Sequence, residues 1–112
     1  MLRCWLVRVL LDEHLPVDLA AALLGHQVDT VVGRAWAGVK NGDLLQRMRG
    51  EYEALVTMDR SLEFQQNLAA LPFGILLVGA ASNRMAHLLP LAPAILEALP
   101  GVRPGEIRRI GA

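Results

Sequence analysis

One cysteine, Cys4, and one lysine, Lys40, occur in the 112 residues. A single cysteine excludes an internal disulfide and any cysteine-based zinc site. No apolar run approaches the ~20 residues that a membrane-spanning helix needs. The nearest stretch, residues 85–99, is interrupted by His87, Pro90, Pro93 and Glu97. Met1-Leu2-Arg3-Cys4-Trp5 carries no signal-peptide cleavage pattern, so a cytoplasmic protein without membrane attachment is expected. Net charge is also lacking: eleven basic residues balance eleven acidic ones, which argues against holding nucleic acid through a broad positive field but not against a local basic patch. Internal repeats, charge blocks and low-complexity linkers are absent, and the length suits one core, so residues 1–112 read as a single domain.

What is abundant is apolar side chain, 54% of the chain, with a mean hydropathy of +0.37. It is distributed as short blocks between turn formers. Leu6 to Leu11 is a continuous apolar run broken only by Arg8, as expected of a strand covered on both faces. Residues 16–24 read as a short helix closed by Gly25, residues 27–32 as a second strand, and Gly33 to Gly38 as a glycine-punctuated loop. Asn41 is a candidate N-cap for a helix running to about Gly50. A third strand is expected over 54–58, a helix over 60–70, and a fourth strand over 75–78. A long helical segment over 84–99 should break near Pro90 and Pro93, and 106–110 is a candidate short terminal strand. Strands alternating with helices predict an α/β fold with a mostly parallel central sheet of four or five strands. Right-handed crossovers give the simplest order as 2-1-3-4, with strands 1 and 3 adjacent.

Two strands end in an aspartate. Val9-Leu10-Leu11 runs into Asp12-Glu13-His14, and Leu55-Val56-Thr57-Met58 runs into Asp59-Arg60. With strands 1 and 3 adjacent, both face the crevice where open α/β sheets place ligands. Asp43, in the first turn of the helix after Asn41-Gly42, is the third candidate. Three converging carboxylates raise one another's pKa unless a cation intervenes, and oxygen-only ligands suit Mg²⁺ or Mn²⁺. Such an ion activates water and stabilises charge on a phosphodiester. Each residue also has an ordinary role: strand-end aspartates cap helices, and Asp43 complements a helix dipole. His14 and Glu13 read as surface groups beside Asp12, and Thr57 either orients a carboxylate or fills the strand as a β-branched residue.

The segments VRVLLDEHLP, KNGDLL and LVTMDRSLEF, in that order and spacing, resemble the PIN-like domain family of small prokaryotic proteins, relatives of the VapC-type toxins. The resemblance covers nearly the whole chain. It implies a three-layer α/β/α PIN-like domain and a metal-dependent ribonuclease. Asp12, Asp43 and Asp59 would be the catalytic and metal-binding acids, with RNA as substrate and an antitoxin protein as partner. The sequence departs from the family where a second acid and a phenylalanine usually follow the last aspartate: Ser61 and Leu62 stand there. Glu63, one helical turn from Asp59, is the candidate replacement ligand, and Ser61 could still hold a metal-bound water. Arg60, Arg84 and Lys40 are candidate phosphate contacts, with Arg34 a fourth, and Asn83-Arg84 should open at the same sheet end. Trp36 either stacks on a base or plugs the core edge, the plug being favoured. Gln65, Gln66 and Asn67 should face solvent.

Three readings follow: a metal-dependent toxin endoribonuclease, a catalytically weak PIN-like module that binds RNA or protein, and a phosphoacceptor domain. The third wants a lysine after a late strand, which Lys40 does not supply. A homodimer is also expected, because the apolar residues of 85–99 run round more than one helix face.

Overall fold

The computed structural model describes residues 6–64 and 68–111. Five strands, β1 (Arg8–Leu11), β2 (Gln27–Thr30), β3 (Ala54–Thr57), β4 (Gly74–Gly79) and β5 (Ile107–Gly111), form one sheet in the order β2-β1-β3-β4-β5, with every pairing parallel. The expected order is recovered, and the fifth strand extends it at the β4 edge.

Side chains alternate across the sheet with the period of two that a strand imposes. Val9, Leu11, Ala54, Val56, Leu76, Val78 and Ile110 point to one face. There they meet Leu19 of α1 (Asp18–Ala22), Leu88 of α3 (Met85–Leu88), and Ala92, Ile95 and Ala98 of α4 (Ala92–Ala98). Leu10, Leu55 and Ile75 point to the other face, against Leu44, Leu45 and Met48 of α2 (Asn41–Met48). Helices on both faces explain why the central strands lack polar alternation.

Several boundaries differ from expectation. The described residues of the segment after β3 are not α-helical. They form two 3₁₀ turns, Arg60–Phe64 and Leu68–Ala70, so Glu63 does not sit an α-helical turn from Asp59. Leu62, Leu71 and Phe73 plug the α2 face while Phe64 is 82% exposed. Leu68 and Leu71, three apart, match the 3₁₀ repeat better than the α repeat. Gln65, Gln66 and Asn67, like Cys4, lie outside the described residues. Helix α1 is shorter than expected and ends at Ala22, with Leu23 as its C-cap; Gly25, at a φ of +88°, then turns the chain toward β2.

The 85–99 segment breaks where its prolines fall, with a 3₁₀ turn at Leu89–Leu91 between α3 and α4. It buries far more of itself than the dimer expectation assumed. Leu88, Ala92, Ile95, Ala98 and Leu99 are all in the core, and Leu89 is its one exposed large hydrophobic residue. The apolar excess that motivated a homodimer is therefore absorbed within the chain, because α3 and α4 each present a different side to the same sheet face. No helix among the described residues is long and apolar enough to cross a membrane.

Candidate functional site

The site grows out of the β1–β3 register. Leu11 pairs with Val56, and the Asp12 amide continues the ladder by donating to the Val56 carbonyl at 3.0 Å. One residue beyond Leu11 and Val56, Asp12 and Thr57 are therefore neighbours, and alternation turns both toward the α2 face. They are the two buried polar residues among those described, at 5% and 0% exposure.

Burying a carboxylate requires partners, and each Asp12 oxygen has one. Thr57 Oγ1 donates to Asp12 Oδ2 at 2.6 Å, and the Glu13 amide donates to Oδ1 at 2.8 Å. The Thr57 hydroxyl also accepts from the Asp59 amide at 3.0 Å. One hydroxyl thus ties the first aspartate to the backbone of the second. This is the residue that fixes the pair.

Asp59 is held on three sides. Ser61 donates to Oδ1 through both its amide, at 2.9 Å, and its hydroxyl, at 2.6 Å. Asn41 Nδ2 donates to Oδ2 at 3.0 Å. These bonds favour the ionised form: the Ser61 hydroxyl first, then Asn41, then the Ser61 amide and the nearby His14 imidazole, hold the Asp59 carboxyl below the usual carboxylate range against partial desolvation. Mutual repulsion, expected to raise these acids, does not govern Asp59. The Ser61 pair is also a local turn in which the carboxylate receives the amide two residues on, so Asp59 caps the first 3₁₀ turn.

Two expectations fail here for related reasons. Asn41 does not cap α2. Lys40 occupies the N-cap position without a side-chain bond, and the Asn41 amide reaches across to Asp59. Asp43 stays exposed on the first turn of α2, and among the described residues no three His, Cys, Asp or Glu side chains come together as a metal-holding group. The expected three-carboxylate cluster is a two-carboxylate pair, with Asn41 where a third acid was anticipated. Glu63 is directed away from the pair: it forms an ion pair with Arg109 of β5.

The surrounding loops are pinned to the site. Both Glu13 oxygens accept from the Gly38 amide, at 3.1 and 3.3 Å, which draws the loop before α2 over the β1 exit. Asn83 Nδ2 donates to the His14 carbonyl at 2.8 Å, so the β4–α3 loop does reach the same sheet end. Lys40, Arg60 and Arg84 are exposed. Arg34 points elsewhere: it stacks on Trp36, 4.2 Å from the ring centroid, and donates to Tyr52 Oη at 2.6 Å and to Glu51 at 3.3 Å. Trp36, half-buried, packs on the α2-side core, which is the plug role.

Comparison with protein-family models, with curated proteins and with solved structures finds no match to this chain. Asp12 Oδ1, Asp12 Oδ2 and Asp59 Oδ2 each accept one hydrogen bond among the described residues, and a carboxylate oxygen has capacity for two. The remaining lone pairs on these carboxylate oxygens are hard donors of the type a divalent cation such as Mg²⁺ takes. Mg²⁺ commonly takes one or two carboxylates and fills its remaining positions with water and phosphate oxygens, so a full protein cage is not required.

Asn41 and the bridging use of Thr57 are what sequence reading missed. The signal for Asn41 was its place two residues before Asp43, at the start of a helix whose N-terminus faces the strand exits.

Proposed function

We propose that this chain is a Mg²⁺- or Mn²⁺-dependent endoribonuclease of the PIN-like kind, the toxin half of a toxin–antitoxin pair. The observation that carries the proposal is the Asp12–Thr57–Asp59 chain of hydrogen bonds at the β1–β3 switch point, where doubly wound sheets bind ligands. RNA as the substrate and an antitoxin as the partner rest on the resemblance of the three motif segments.

Asp12 and Asp59 would hold the ion, while Asp43 stays exposed on the first turn of α2. The bound ion supplies neutralisation of phosphodiester charge and a lowered pKa for the attacking water. The protein's part is orientation. Thr57 locks Asp12, while Ser61 and Asn41 lock Asp59 and favour its ionised form. Arg60, directly after Asp59, together with Lys40 and Arg84, supplies positive charge to phosphates at either side.

A weaker binding module is the second reading. Ser61 takes both Oδ1 positions of Asp59, which reduces what that carboxylate offers a metal. The phosphoacceptor reading gains the strand order but still lacks a lysine after a late strand, since Lys40 precedes α2. Cleavage of a structured RNA in Mg²⁺ separates the readings. Asp59→Asn should reduce the rate by more than about 100-fold while leaving the circular dichroism spectrum unchanged. Wild-type cleavage by that variant removes Asp59 from the mechanism, and no cleavage by the wild-type chain favours the binding module.

A further inference from the structure

At the carboxyl end of β4, beside Arg60, lies an open cavity of about 700 Å³ lined also by Ala80, Ala86, His87, Pro90 and Leu91 among others. We infer that it is a nucleobase subsite, receiving the base of the RNA residue adjacent to the scissile phosphate; this rests on the ribonuclease reading.

Four features lead there. First, position: β3 and β4 are paired neighbours, so the Gly79–Ala80 exit lies one strand from the Thr57–Asp59 exit, and Arg60 belongs to both the cavity and the aspartate turn. A nucleotide entering the cavity has its phosphate delivered toward Asp59. Second, wall chemistry: Ala80, Ala86, Pro90 and Leu91 offer methyl and methylene surface, which suits the apolar face of a planar base. Third, charge: Arg60 carries a fixed positive charge and a forked donor geometry matched to phosphate. Fourth, a polar edge: Ser82 Oγ and His87 Nδ1 lie 2.7 Å apart, which fixes the imidazole and leaves Nε2 as the ring nitrogen available to a ligand. Mostly apolar lining with a few placed polar groups, and a volume within the ~300–1,000 Å³ of ligand pockets, is what a small-molecule subsite requires. An unstacked base of single-stranded RNA, with one phosphate on Arg60, satisfies each feature.

The test uses the isotopically labelled chain without divalent cation, titrated with adenosine 5′-monophosphate and separately with inorganic phosphate. The expected result is saturable methyl shifts at Ala80, Ala86 and Leu91 with low-millimolar affinity. Phosphate alone should bind about tenfold more weakly or not at all, and Arg60→Ala should weaken the nucleotide by about tenfold. Ala86→Trp, on the exposed side of α3, should fill the cavity and abolish those shifts while keeping a dispersed spectrum. Absence of shifts, or shifts that survive Ala86→Trp, overturns the subsite. RNA cleavage by the wild-type chain is scored separately. Cleavage without nucleotide shifts removes the subsite and leaves the nuclease reading. Nucleotide shifts without cleavage support the cavity as a nucleotide site and remove the nuclease reading.

Discussion

Replacing Thr57 with valine keeps a branched side chain in a fully buried strand position and removes one hydroxyl. That hydroxyl donates to Asp12 Oδ2 at 2.6 Å and accepts from the Asp59 amide at 3.0 Å. Its loss leaves one oxygen of a buried carboxylate and one backbone N–H without their partner. A hydrogen bond to a charged group contributes ~1.5–3 kcal/mol, and stranding the partly buried Asp59 amide adds a smaller penalty. The added methyl offsets part of this, so the net loss should be about 2 kcal/mol, or a fall of about 9 °C in Tm for a domain of this size. Thr57→Ser is the control: it keeps both bonds and loses one methyl, for about 1 kcal/mol. Urea unfolding at neutral pH reads both variants, and unchanged m-values would show that stability alone has moved. In RNA cleavage, valine should lower the rate by about 10- to 100-fold, as loss of a ligand-orienting contact does, and serine should be close to wild type. A valine variant as stable as the serine variant would refute the bridging role of the hydroxyl.

Asp59→Asn should lower the stability of the metal-free chain by about 1 kcal/mol, because an amide cannot accept from both Asn41 and Ser61 as the carboxylate does. This reverses what carboxylate repulsion alone would give. Since the folded Asp59 titrates below its unfolded value of ~3.9, its contribution is complete above that pH and is lost as pH falls through the lowered folded value; the gap between wild type and variant should close below about pH 4, read by urea midpoints at stepped pH. Tyr52 is the sole tyrosine, and burial, then its bond to Asp29, push its hydroxyl up to about 12. Ultraviolet titration of the folded chain should show ionisation near that value and, in urea, near ~10. The stability from Tyr52 is complete below ~pH 10 and lost as pH rises toward the folded value; a folded transition near ~10 would contradict its burial and its hydrogen bond to Asp29, which outweigh the opposing pull of Arg34.

The strand order was legible because it depends on repeated, redundant signals: unbroken apolar runs, turn formers between them, and the handedness of crossovers. The helix expected over 60–70 was not legible as two 3₁₀ turns. Its composition permits a helix, and what decides otherwise is the draw of Asp59 on Ser61 and the burial of Leu62, Leu71 and Phe73. At the site, Asp12, Thr57 and Asp59 could be placed together from strand register alone. The swap of Asn41 for Asp43 could not, since a helix N-terminus presents successive residues in different directions. Which of them meets a neighbour depends on how the preceding loop enters, and Glu13 sets that entry through Gly38. The burial of residues 85–99 was misjudged for a similar reason. A broad apolar segment reads as two-faced only if it is one straight helix, and the Leu89–Leu91 turn lets its two halves pack on a single sheet.

The proposed cation site is tested most directly by Mn²⁺ binding to the isolated chain, followed calorimetrically or by water-proton relaxation at neutral pH. The account predicts one saturable site in the wild-type chain, affinity reduced at least about tenfold by Asp12→Asn and by Asp59→Asn alike, and little change with Glu63→Gln, whose carboxylate is committed to Arg109. Mn²⁺ binding unaffected by both aspartate changes, or no binding by a well-folded wild-type chain, would contradict it.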